Sequence, residues 1–135
     1  MSAYWTVYKN VPRGVRRGDS SRMDQATRLG MFHGGRWNKD YEVKLSMFGA
    51  LVIDLFGDEF AVFFPREDGD LVQLHAQMSK IPALLVRIPA VVEIVTRGDH
   101  RDKDTLLAFL IDLRPTLRRI QQEAPNGEGW AIVAD

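Results

Sequence analysis

The stretch Ala50-Leu51-Val52-Ile53-Asp54-Leu55-Phe56-Gly57-Asp58-Glu59-Phe60-Ala61-Val62-Phe63-Phe64 decides how this chain is read. Two apolar runs flank Gly57-Asp58, a pair with the chemistry of a primed two-residue hairpin turn. With Phe56 opposite Glu59, Leu55 faces Phe60, Ile53 faces Val62 and Leu51 faces Phe64, so one face is wholly apolar. Asp54 and Glu59 fall on the other face. The expectation is a β-hairpin over 50–56 and 59–64, with Ile53 and Val62 neighbours in a dry core.

Working outward, Tyr41, Val43, Leu45 and Met47 alternate with polar residues, the period of a half-buried strand that Gly49 ends. Tyr4 to Lys9 reads as an opening strand, and Gly129 to Ala134 as a closing one after the turn residues Pro125-Asn126-Gly127. Asp70, with Gln73 three residues on, resembles a helix N-cap; Leu71, Leu74, Met78 and Ile81 follow at helical spacing up to Pro82. Val91 to Thr96 reads as a buried strand, while Leu84 to Ile88 fits strand or helix. Asp104 opens a helix with apolar positions Leu106, Leu110, Leu113, Leu117, Ile120 and Ala124. Pro115 either bends that helix or starts another. The fold class expected is α+β: an antiparallel sheet of about five strands, the 50–56/59–64 hairpin among them, packed against two main helices with a long basic N-terminal loop. Residues 1–135 are expected to form a single globular domain.

The 135 residues include no cysteine, which excludes thiolate metal sites, thiol nucleophiles and disulfides and fits a reducing compartment. No leader pattern occupies Met1 to Val7, and no apolar stretch reaches the ~18 residues of a membrane span. A cytoplasmic location and no membrane partner are expected. The formal net charge of zero is unevenly placed. From Tyr8 to Lys44, nine Lys or Arg stand against four acids, a net +5, which the remainder balances with −5. That segment interleaves Arg13, Arg16, Arg17, Arg22, Arg28, Arg36 and Lys39 with Phe32 and Trp37. Guanidinium forks suit phosphates or carboxylates, and flat rings suit bases or apolar protein anchors. These nine residues are the candidate binding site; the other reading of the segment is a glycine-rich flap whose arginines pair with the acidic remainder.

Two short resemblances accompany these patterns. Gly57 to Pro65 resembles the hairpin signature of diguanylate cyclase GGDEF domains, which implies cyclic-dinucleotide synthesis; that family also uses an upstream metal-binding acid on a separate strand, and here Leu55-Phe56 precede a single glycine. Gly34-Gly35-Arg36-Trp37-Asn38, with Ala26-Thr27-Arg28-Leu29 before it, is similar to the GGRWN signature of RES-domain toxins, relatives of ADP-ribosyltransferases, and implies NAD degradation. The first strand has no arginine and the tyrosine expected after the motif has no clear counterpart. The nearest match to that family's helical glutamate is Asp54, which the hairpin places on a strand.

No P-loop, Rossmann fingerprint or Ser-His-Asp constellation is present, and His33, His75 and His100 have no ligand spacing, so neither cofactor nor metal is expected. The expectation for function is a small non-catalytic binding protein of the inhibitor, immunity or phage and bacterial accessory type, acting through contacts with another protein. The alternative is nucleic-acid or nucleotide binding through the basic and aromatic segment 9–44, and a third is the divergent RES-like NAD-degrading enzyme.

Overall fold

The computed structural model describes residues 5–12, 27–30, 45–66, 70–100 and 103–134. Their elements are β1 (Trp5–Lys9), β2 (Thr27–Gly30), α1 (Leu45–Phe56), β3 (Leu71–Gln73), α2 (Ile81–Arg97), α3 (Lys103–Glu123) and β4 (Ala131–Ala134), with 3-10 helices at Asp58–Phe63, Leu74–Ala76 and Met78–Lys80.

The sheet is antiparallel and ordered β2-β1-β4-β3. Its register sets the two faces. Val7 pairs with Ile132, and Ile132 with Val72, so these side chains and those of Trp5 and Ala134 turn toward the helices. Tyr8, Leu71, Ala131 and Val133 turn the other way and pack with Val11. The main core gathers Trp5 with Phe56, Phe63, Phe64 and the inner faces of all three helices. Trp5 lies 5.1 Å from Phe64 and 5.5 Å from Phe109 between ring centroids. Its indole N–H donates to the Pro65 carbonyl at 2.8 Å, so the ring is buried without an orphaned donor.

The expected hairpin is absent. Leu45–Phe56 is a helix, and the 3-10 helix Asp58–Phe63 replaces the returning strand. A second period runs through the same residues: Gly49, Val52, Phe56, Phe60 and Phe63 are buried, spaced three, four, four and three, and Phe64 is buried beside them. That helical stripe wins over the alternation, which leaves Ile53 and Val62 half-buried at the edge of the core. Gly57 does take a positive φ, 98° with ψ 162°, a region almost confined to glycine. It uses that freedom to end a helix: its N–H bonds the Ile53 carbonyl at 2.8 Å, and its own carbonyl accepts from Phe60 at 3.1 Å.

Other expectations change for related reasons. The strand read over Tyr41 to Met47 gives way at its C-terminal part, which belongs to α1; residues 41–44 lie outside the described residues. The helix expected over 70–81 is the edge strand β3 followed by two 3-10 turns. Pairing to Ala131, Ile132 and Val133 outweighs the helical spacing there, and the Asp70 carbonyl accepts from Ala134 N–H at 2.8 Å. Val91 to Thr96 is helical, not a strand, because Ile81, Leu84, Ile88, Val91 and Val95 form one continuous stripe. Four strands, not about five, are therefore present among the described residues, with three α-helices in place of two. The opening strand, the closing strand and the 103–123 helix stand where the sequence puts them. Pro115 sits inside a continuous α3, on its exposed side.

Candidate functional site

Helices α2 and α3 follow one another in the chain, and each presents an apolar inner stripe to the core. On α2 that stripe is Ile81, Leu84, Ile88, Val91 and Val95; on α3 it is Leu106, Leu110, Leu113, Leu117 and Ile120, with Phe109 beside it. At 3.6 residues per turn these stripes dictate what points outward.

On α2 the outward residues are Pro82, Ala83, Val86, Pro89 and Ala90, then Glu93, Ile94 and Arg97, all exposed. Val86 retains 78% of its accessible surface and Ile94 44%. From Pro82 to Ala90 the only charged residue is Arg87, and its guanidinium is turned aside to donate to the Leu55 carbonyl at 2.8 Å. Leu55 lies in the last turn of α1, where carbonyls have no partner within the helix, so Arg87 caps α1 and leaves the outer ridge of α2 free of charge from Pro82 to Ala90. The ridge ends at an exposed Glu93–Arg97 ion pair of 2.6 Å. The C-terminus of α2 is tied down by Gly98 N–H to the Ile94 carbonyl at 3.0 Å and by the Lys103 ammonium on the Thr96 carbonyl.

On α3 the outward line contains Asp104, Ala108, Ile111, Pro115 and Arg118, and Ile111 keeps 65% of its surface. A shallow, open depression of about 300 Å³ lies beside it, lined among the described residues by Asp104, Leu107, Ala108, Ile111 and Asp112.

Of the residues that the sequence nominates for binding, Arg28 is described: it lies on β2, opposite Tyr8 of β1. Arg13, Arg16, Arg17, Arg22, Phe32, Arg36, Trp37 and Lys39 lie outside the described residues. Asp54, the acid nearest to the RES pattern, is on helix α1 rather than on a strand, and is exposed. Among the described residues no three His, Asp or Glu gather as a metal site, and no helix is long and apolar enough to cross a membrane. Sequence reasoning did not find the outer face of α2. Its signal was present in the spacing of Ile81, Leu84, Ile88, Val91 and Val95, which fixes Ala83, Val86 and Ala90 on the opposite side.

Compared with protein-family models, with curated proteins and with solved structures, the chain matches none.

Proposed function

We propose that this chain is a small non-catalytic binding protein that works by protein–protein contact, with the outer face of α2 as its docking surface. The observation that carries this is the ridge Pro82, Ala83, Val86, Pro89 and Ala90, uncharged up to the Glu93–Arg97 ion pair beside Ile94, and exposed on a helix whose opposite face already fills the core. A solvent-facing helix ordinarily shows charged and polar side chains on that side. From Pro82 to Ala90 this ridge turns no side-chain donor or acceptor outward with which to read a phosphate, a sugar or a base edge, so what it offers there is apolar burial. Its small residues let another backbone come close, which suits a partner protein presenting an apolar helix or extended segment. Burying Val86 and Ile94 contributes about 1.5–3 kcal/mol each when complete. A cytoplasmic location, and a role of the inhibitor, immunity or accessory kind, belong to this proposal.

The experiment is capture of a partner by the wild-type chain and by a Val86→Asp, Ile94→Asp variant, followed by reconstitution with the purified partner. Both positions are exposed, so the variant should melt at the wild-type temperature and lose the partner. Retention that nuclease abolishes, and that an Arg16→Ala, Arg17→Ala variant weakens, would shift the function to the basic segment. Consumption of NAD that disappears in Arg36→Ala would make the chain an enzyme.

A further inference from the structure

We propose that α3 is a self-association surface on which two copies of this chain pair antiparallel, about a two-fold axis passing at Ile111. The inference is independent of the α2 reading, since it concerns a different helix face and a different partner.

The outward line of α3 runs Asp104, Ala108, Ile111, Pro115, Arg118 and Gln122, spaced four and three alternately, the repeat that keeps a straight seam on one side of a helix. Its chemistry is ordered along the axis. An acid, Asp104, stands at the N-terminal end, the apolar Leu107, Ala108, Ile111 and Pro115 run along the middle with Asp112 and Arg114 to its sides, and the cation Arg118 follows. Such an order is self-complementary in one arrangement only. In a two-fold contact a residue placed before the axis meets the residue placed equally far after it. Asp104 and Arg118 stand seven residues either side of Ile111, about 10.5 Å along the helix, so an antiparallel pair sets Asp104 of each copy against Arg118 of the other. A parallel pair would set acid on acid and cation on cation.

Three further observations fit this occupant. Arg97 and Arg119 pair with Glu93 and Glu123 on their own helices, whereas Asp104, Arg114 and Arg118 make no ion pair or hydrogen bond among the described residues. Ile111 stands 65% exposed at the point where the axis would pass. The depression beside it, lined by Asp104, Leu107, Ala108, Ile111 and Asp112, is open and about 300 Å³ in volume. Exposed ion pairs add little affinity but penalise wrong registers, so the apolar middle supplies the attraction and the ends set the register. One helix face is a small interface, and the dimer is accordingly a weak, concentration-dependent one.

Sedimentation velocity over a concentration series should show a reversible monomer–dimer equilibrium. Asp104→Arg alone and Arg118→Asp alone should each raise the dimer Kd by roughly tenfold or more at low salt, because each variant faces itself with like charges. Mixing the two variants should restore wild-type affinity within about threefold, since every contact in the mixed pair is again opposite in sign. The wild type has no cysteine, so Ile111→Cys carries a single thiol at the proposed axis, and mild oxidation should link it to its own copy. Equal melting temperatures across the variants separate association from folding. A chain that stays monomeric throughout the series would overturn the proposal. So would a dimer indifferent to both charge reversals, or variants that fail to recover when mixed; each would hand the exposed line of α3 to a different partner or to none.

Discussion

Thr6 is fully buried on β1, and its hydroxyl is the buried side-chain polar atom left without a hydrogen-bond partner among the described residues. An unpaired buried hydroxyl costs about 1–3 kcal/mol, and valine has nearly the same shape with a higher strand preference. Thr6→Val should therefore raise stability by about 1–2 kcal/mol in a urea melt. A loss of stability would show that the hydroxyl is satisfied in solution. Gly127 makes the opposite case. It has a φ of 67°, and a Cβ there would fall 2.8 Å from both the His75 nitrogen and the Leu74 carbonyl carbon. Those neighbours are backbone, which cannot swing aside as a side chain does. Gly127→Ala should cost at least ~2 kcal/mol, while a shift below ~0.5 kcal/mol would mean that the 124–130 turn repacks freely.

At the scale of elements, the region 45–64 carried two periods at once, and the choice between them is open to a direct test. Ala50 is exposed on α1, so a substitution there reports backbone preference with little packing change. Ala50→Thr should lower stability by roughly 0.5 kcal/mol in a helix, whereas in the expected hairpin strand it would raise it. Why some elements were legible and others not follows from the same competition. Helix α3 was readable because Leu106, Leu110, Leu113, Leu117 and Ile120 repeat without interruption and Pro115 falls on the exposed side. Helix α2 has the same repeat, but Pro89 and the β-branched run around Val91, Val92 and Val95 imitate a strand. Strand β3 owes its conformation to Ala131, Ile132 and Val133, some sixty residues further on, and no local window contains that information. At 50–64 the turn signal of Gly57 was genuine, but a positive φ ends a helix as readily as it turns a hairpin.

For the molecule as a whole, net charge and surface chemistry point to different places. The charge count drew attention to the segment 9–44, of which Arg28 is the one nominated binding residue with a described position, on the β2 edge of the sheet. Exposure draws attention to α2 and α3, where Val86, Ile94 and Ile111 are the exposed large apolar residues among the described ones. Composition could not reveal these three, because Val and Ile in an aliphatic stretch read as core until the helical phase is known. With the phase known, the two helices offer two separate ridges: one on α2 that is uncharged from Pro82 to Ala90 and one on α3 with charged ends. The docking role of α2 is tested most directly by a photoactivatable cross-linking residue placed at Val86 in one preparation and at Asp54, exposed on α1, in another. The expected result is one dominant cross-linked protein species from position 86 that is absent from position 54 and is lost when Ile94→Asp is added. Equal labelling from both positions, or a position-86 adduct that survives Ile94→Asp, would contradict a binding function seated on the outer face of α2.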